Sequence, residues 1–156
     1  MRKNQILWIG LIVGLWVSCK SKQSETLFEE VKTNIQFSNT LKESDEFNVF
    51  KYRNFYNGGG VATGDLNNDG LPEVFLTANQ SSNKLYLNKG NFEFEDITEK
   101  AGIVYDGEWS TGVVFVDINA DGWLDIYVCN AGNMLQKEKR KNKLYINNHN
   151  NTFTIA

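Results

Sequence analysis

Histidine and proline each occur once in the 156 residues, at His149 and Pro72, and cysteine only twice, at Cys19 and Cys129. One histidine disfavours a His-based zinc site and a His-centred catalytic triad. Two cysteines exclude a disulfide-dense mini-protein. Basic charge is not in excess: 16 Lys and Arg stand against 19 Asp and Glu, for a net charge of -3. That balance argues against a dedicated nucleic-acid binder. With proline scarce, the chain must turn through Asn, Asp and its 13 glycines. The composition also excludes a collagen and a coiled coil. What is present, 41% hydrophobic and 22% charged residues, suffices to fold one ordinary domain.

The longest apolar stretch, Ile6 to Val17, follows Arg2 and Lys3 and runs for 12 residues. It is too short to span a bilayer and has the size of a signal-peptide core. Ser18 and Cys19 come next, an arrangement that looks like a bacterial lipobox, although Trp16 stands where leucine is usual. Residues 1–18 are therefore expected to be a lipoprotein signal peptide, with Cys19 lipidated and the chain exported to the cell envelope. A simple cleaved secretory peptide is the nearest competitor. Loss of residues 1–18 removes two basic residues and no acid, which takes the mature charge to -5. Residues 19–33 read as a tether, with a short helical turn placing Leu27, Phe28 and Val31 on one side. Cys129, inside the strand-like Ile126-Tyr127-Val128-Cys129, reads as a buried, inert core residue.

From residue 34 an internal repeat organises the chain. Asp65-Leu66-Asn67-Asn68-Asp69-Gly70-Leu71-Pro72-Glu73 returns as Asp117-Ile118-Asn119-Ala120-Asp121-Gly122-Trp123-Leu124-Asp125, 52 residues later. Across 60–76 and 112–128, six of 17 positions are identical. A second landmark, Asn83-Lys84-Leu85-Tyr86-Leu87-Asn88, returns as Asn142-Lys143-Leu144-Tyr145-Ile146-Asn147 at an offset of 59. The second copy has thus gained a basic insertion containing Lys137-Glu138-Lys139-Arg140-Lys141. Each unit reads as four short strands, in the first unit roughly Gly60–Asp65, Glu73–Thr77, Lys84–Asn88 and Asn91–Thr98. Phe92 and Phe94 alternate with Glu93 and Glu95 in the last of these. No connection is long enough for the helices of a parallel α/β sheet.

The expected fold is therefore all-β, with antiparallel four-stranded blades of a β-propeller over residues 34–156. A closed propeller needs about 4–8 blades, and two units are recognisable. The chain is accordingly expected to be the N-terminal, truncated part of a longer protein, with self-assembly of copies as the alternative.

The Asp-x-Asn-x-Asp-Gly-x-x-Asp/Glu pattern carries the chemistry. Calcium takes six to eight oxygens in a flexible shell, and a glycine-bent loop can aim alternate side chains at one point. The expected ligands are Asp65, Asn67, Asp69, the Leu71 carbonyl and Glu73 in one loop. In the other they are Asp117, Asn119, Asp121, the Trp123 carbonyl and Asp125. An EF-hand would close with an acid at the twelfth position, where Leu76 and Val128 stand. Closure at the ninth suggests a compact hairpin loop, and magnesium fits less well. The competing view is that Asn, Asp and Gly form turns and nothing more.

These loops and the Asn-Lys-Leu-Tyr-Leu-Asn strand resemble the FG-GAP/VCBS repeats of integrin α-chain propellers and bacterial surface proteins. Asn54-Phe55-Tyr56-Asn57-Gly58-Gly59-Gly60-Val61-Ala62 and Phe92-Glu93-Phe94-Glu95-Asp96-Ile97-Thr98 narrow the likeness. They resemble the N-terminal part of Bacteroidota VCBS-repeat lipoproteins similar to cartilage acidic protein, which often end in an ASPIC/UnbV domain. The resemblance covers roughly residues 27–156. It implies a calcium-dependent propeller displayed at the envelope, on an outer-membrane lipoprotein, for binding a protein or glycan.

Three functions compete. A non-enzymatic surface binding or adhesion module would use aromatics such as Tyr52, Phe55, Tyr56, Tyr105, Trp109 and Trp123, although most of these read as core. Part of a glycan-processing enzyme would need paired acids, and the only conspicuous ones outside the metal loops are Asp106 and Glu108, in what reads as a solvated turn. An anionic-polysaccharide binder would use the basic residues of 137–143. That stretch has no interleaved aromatics for nucleic acid.

Overall fold

The computed structural model describes residues 27–132 and 137–156. The signal-peptide and Cys19 expectations lie outside the described residues. Residues 27–31 belong to a separate short unit. Leu27 and Phe28 there form a bend and no helical turn, so the predicted turn is corrected. Leu27 and Phe28 are almost fully exposed, and so little burial cannot offset the cost of nucleating a helix.

Residues 32–156 form one unit built of two antiparallel sheets. The first contains β1 (Val61–Gly64), β2 (Glu73–Leu76), β3 (Lys84–Asn88) and β4 (Phe94–Asp96), in that spatial order. The second contains β5 (Trp109–Val116), β6 (Asp125–Ala131), β7 (Lys143–Asn147) and β8 (Phe153–Ile155), in the same order. Among the described residues the only helical element is a 3-10 turn at Lys137–Arg140, within the basic insertion. The all-β, four-stranded, blade-like architecture therefore agrees with the repeat. Strand β4 starts later than the alternation predicted. Asn91 and Phe92 adopt left-handed conformations (φ 52° and 61°), and the Glu93 amide bonds to the Gly90 carbonyl in a turn. Phe92 is thus an exposed turn residue, and only Phe94 joins the sheet.

The core lies between the sheets. Phe75, Leu85 and Leu87 of the first face Ile126, Val128 and Tyr145 of the second, with Leu66, Ile97 and Phe153 around them. Alternate strand residues point to opposite faces, so the register sorts them. Ala62, Phe75 and Leu85 lie across from one another on the face turned toward the second sheet. Gly64 shares it, because a Cβ there would lie 3.0 Å from Phe115 and 3.2 Å from Leu124. The innermost strands β1 and β5 thus meet closely, and a Cβ on Gly60 would stand 2.8 Å from the Thr111 carbonyl oxygen.

A buried polar seam closes one end of this interface. The Gly60 amide donates to Thr77 Oγ1 at 2.5 Å, and that hydroxyl lies 3.1 Å from the Thr111 carbonyl of the opposite sheet. The Ser110 amide donates to the Ala78 carbonyl, and Asn79 Nδ2 to the Ser110 carbonyl. Asn83 Nδ2 donates to Ser110 Oγ, which donates on to Asn130 Oδ1. Each repeat also closes on itself in the same way. Asn83 Oδ1 accepts the Ala78 amide and Asn142 Oδ1 accepts the Asn130 amide, both at 2.9 Å. Buried polar groups satisfied this completely fix the register of one sheet on the other.

The segment ahead of β1 is laced to the first sheet. Asn34 exchanges two 2.8 Å bonds with the Phe94 backbone, and Tyr86 Oη donates to the Gln36 carbonyl at 2.6 Å. Asn39 and Asn79 bond reciprocally. Phe47, Tyr52 and Phe55 then gather against Trp109, with ring centroids 5.0–5.7 Å apart. Phe55 and Trp109 are buried, as the core reading of the aromatics has it, whereas Tyr56 and Tyr105 stay exposed. Cys129 is free but half-buried, on the face of β6 turned away from the core, so the buried-core reading is corrected.

Candidate functional site

The two acidic loops join β1 to β2 and β5 to β6 at the same end of the sheets. They are side by side: Asn68 Nδ2 lies 3.3 Å from the Gly122 carbonyl, and Asn147 Nδ2 donates to both the Leu66 and Leu124 carbonyls. Their internal bonding is the same. Asp65 accepts the amides of Asp69 and Gly70 at 3.1 and 2.8 Å. Asp117 accepts those of Asp121 and Gly122 at 3.1 and 2.9 Å. Asn67 and Asn119 converge on those same Asp69 and Asp121 amides. Asp69 and Asp121 in turn accept the amides of Leu71 and Trp123. Left-handed residues close each bend, Asn68 and Gly70 in one and Ala120 and Gly122 in the other. Glycine reaches φ 86° freely, whereas Ala120 at φ 60° is strained.

The closing acids lie beneath the loops. Glu73 accepts the Leu66 amide at 2.7 Å and faces the Asn88 amide at 3.4 Å. Asp125 accepts the Ile118 and Asn147 amides at 3.2 and 2.8 Å. Both are essentially without exposure, at 1% and 0%. Burial pushes the Glu73 carboxyl above its ordinary range; the amides of Leu66 and Asn88 oppose this, and the charges of Asp69 and Asp65 add to it. Among the described residues no Lys, Arg or His pairs with Asp65, Asp69, Glu73, Asp117 or Asp125. Each loop therefore gathers oxygen donors and negative charge with little positive charge in return. Among the described residues, no three His, Cys, Asp or Glu side chains close into a ready metal-holding group. Asn67 and Asn119 turn their Nδ2 toward Asp69 and Asp121 Oδ2, at 3.0 and 2.8 Å. The donor chemistry fits a hard cation, with the carboxylates held by loop amides.

The loops differ in one place that the sequence reading passed over. His149 stacks on Trp123 with ring centroids 4.6 Å apart, and its Nε2 lies 3.0 Å from Asp121 Oδ2. The Trp123 amide first, and then His149, hold the Asp121 carboxyl below the usual range. In the first unit the corresponding places are Leu71 and Gly90, also adjacent. Asn88 and Asn147, equally unassigned from sequence, cap the loops from β3 and β7. Their identity in the second landmark was the available signal.

The remaining candidates are tied up elsewhere. Glu108 is buried and pairs with Lys143, which also donates to the Val104 carbonyl at 3.0 Å. The solvated-turn reading of Glu108 is thus corrected: the apolar contacts of Trp109 carry its neighbour inward, and Lys143 supplies the counter-charge. Burial pulls the Glu108 carboxyl up, but Lys143 and nearby amides outweigh it and hold it below its ordinary value. Asp106 pairs with Lys139 at 2.5 Å and Lys141 with Glu138 at 2.5 Å.

Paired antiparallel sheets, each carrying an acidic hairpin loop at the same end, define a tandem-repeat, propeller-like module. Residues 65–128 match the FG-GAP-like repeat family, so the FG-GAP resemblance read from the residues stands over that segment. The chain is also 35% identical over 74 residues to cartilage acidic protein 1 of Xenopus tropicalis. The shared stretch is 47% of this chain and 11% of that relative.

Proposed function

We propose that this chain is a calcium-stapled repeat module of an exported, lipid-anchored envelope protein, and that it binds a protein or glycan without catalysing a reaction. The observation that carries the cation reading is the set of three carboxylates per loop, two sets in equal register, of which, among the described residues, only Asp121 has a basic side chain, His149, beside it. Asp65, Asn67, Asp69, the Leu71 carbonyl and Glu73 would hold one ion. Asp117, Asn119, Asp121, the Trp123 carbonyl and Asp125 would hold the other. The ion would supply charge neutralisation and a fixed loop geometry rather than Lewis-acid chemistry. The protein's own part is to pre-bend the loops through the amides of residues 69–71 and 121–123, and to anchor Glu73 and Asp125 under them. Lipidation at Cys19 would place the module at the bacterial outer membrane.

Two other readings find less support. Acid–base catalysis by Asp106 and Glu108 meets two carboxylates already committed to lysines. A grip on anionic polysaccharide meets a basic stretch, 137–143, whose Lys139, Lys141 and Lys143 are paired within the chain. Isothermal calorimetry and thermal melting with calcium test the proposal. Two sites are expected, each adding about 2.7 kcal/mol of stability at a hundredfold excess over Kd. Asp69→Ala and Asp121→Ala should each remove one of them. A wild-type melt indifferent to calcium and to chelator sinks it.

A further inference from the structure

Of the 20 asparagines in the sequence, only Asn57 precedes a glycine. Asn57 is exposed, and its amide donates to the Asn54 carbonyl at 3.2 Å. Among the described residues its carboxamide has no hydrogen-bond partner, and neither has the amide of Gly58. Most other asparagines are committed. Asn67 and Asn119 bond to Asp69 and Asp121, while Asn79, Asn83, Asn130 and Asn147 are buried and bonded across the seam or beneath the loops. Asn54 and Asn151 also have free side chains, but the amides that follow them, of Phe55 and Thr152, are bonded. A bonded amide is protected from losing its proton. Asn91 is followed by Phe92, whose side chain crowds the amide that glycine leaves bare.

The main chain around this dipeptide is fastened on both sides. Phe55 is fully buried, with ring centroids 5.1 Å from Trp109 and 5.3 Å from Phe47. The Gly58 carbonyl accepts Asn79 Nδ2 at 3.2 Å. Gly59 lies so close to the Thr77 carbonyl that a Cβ would stand 2.1 Å from its oxygen. Gly60 then enters the polar seam through Thr77 Oγ1, which reaches the Thr111 carbonyl of the other sheet. A longer backbone between Phe55 and Gly59 must therefore displace either the buried ring or the seam. The Asn57 side chain, by contrast, is free to change without touching either.

We propose that Asn57 is the self-modification site of the folded chain, deamidating to a mixture of aspartate and isoaspartate, and that the isoaspartate form loosens the junction of the two sheets. The Gly58 amide nitrogen, after losing its proton to base, attacks Asn57 Cγ. The N–Cγ bond forms, the Cγ–Nδ2 bond breaks, and ammonia leaves with a proton returned by solvent. The product is a cyclic imide. Water then opens it: attack at Cγ gives aspartate with the original backbone, and attack at the main-chain carbonyl gives isoaspartate, whose backbone runs through the side-chain methylene. No oxidant, cation or partner takes part, so the proposal is independent of the function proposed above.

The experiment ages the full chain in warm, mildly alkaline buffer and follows every asparagine by peptide mapping with mass spectrometry. Methyl transfer by an isoaspartyl methyltransferase counts the isoaspartate. Asn57 should be converted ahead of all other asparagines, with both products present and a rate that rises with pH. Gly58→Ala, whose Cβ meets nothing within 4 Å in the fold, should react at least about tenfold more slowly, because the methyl group hinders approach of the amide. Aged wild type should melt below fresh wild type in proportion to its isoaspartate. Asn57→Asp, which has the same charge and the original backbone, should melt with fresh wild type. The proposal is overturned by an intact Asn57, by another asparagine reacting first, or by an isoaspartate form that melts with Asn57→Asp. The wild-type map decides the site whether or not the Gly58 variant folds.

Discussion

One chemical change, Tyr to Phe, should have opposite effects at the two equivalent positions of the repeat. Tyr145 is fully buried, and its hydroxyl has no hydrogen-bond partner among the described residues. Burial, and then the negative charge of Glu108, push its pKa up to about 12, so it stays neutral at all ordinary pH. An unsatisfied buried hydroxyl costs about 1–3 kcal/mol. Tyr145→Phe keeps the ring in the core and removes that cost, so the variant should be more stable than wild type. Tyr86 occupies the same place in the first sheet, but its hydroxyl donates to the Gln36 carbonyl at 2.6 Å. Tyr86→Phe therefore forfeits a made hydrogen bond, worth about 1 kcal/mol. The gap between the two variants should be about 2–4 kcal/mol, and a domain of this size moves about 3–5 °C in Tm per kcal/mol. Urea denaturation of both variants at pH 7 in one buffer measures it. If Tyr145→Phe loses as much stability as Tyr86→Phe, the reasoning about the orphaned hydroxyl is wrong.

Lys143→Met should cost about 3–5 kcal/mol at neutral pH, since it strands the buried Glu108 carboxylate. The depressed Glu108 pKa makes the wild-type contribution complete above the ordinary carboxylate range and lost as pH falls through the lowered value. The wild-type and variant urea midpoints should therefore converge between neutral and acid pH, and parallel curves would refute the pairing. Gly59→Ala puts a Cβ 2.1 Å from the Thr77 carbonyl oxygen and should lose far more stability than Gly58→Ala. The latter meets open space and only the strain of φ 76°, about 1 kcal/mol; equal losses in thermal melts would show that the contact yields. Ala120→Asn should raise stability by about 0.5–1 kcal/mol, because asparagine tolerates the left-handed conformation better than alanine. The other unit already has Asn68 there, and an unchanged denaturation midpoint would argue against strain at Ala120.

The repeat made the sheets legible. The 52- and 59-residue offsets located six of the eight strands, β1 to β3 and β5 to β7, because apolar residues in register must face one core. Strand β4 was mis-bounded since Phe92 has the composition of a strand residue, and nothing local announces its left-handed turn beside Gly90. The loop residues Asp65, Asn67, Asp69 and their counterparts were readable because the turn chemistry is local. Glu108 was misread because its burial depends on Lys143, which stands 35 residues further on at the start of β7. The stacking of His149 on Trp123 was invisible for the same reason. It joins a loop after β5 to one after β7, and a lone histidine carries no pattern. The lacing of Asn34 and Asn39 to the first sheet likewise joins residues with no shared periodicity.

That lacing sets an order of assembly. Asn39 finds its partner 40 residues later and Asn34 finds its own 60 residues later. A chain that emerges N-terminus first cannot seat these early residues until β2 and then β4 have followed. The opening segment is thus the last piece of the first sheet to be fastened, and it must wait unpaired while its later neighbours are delivered.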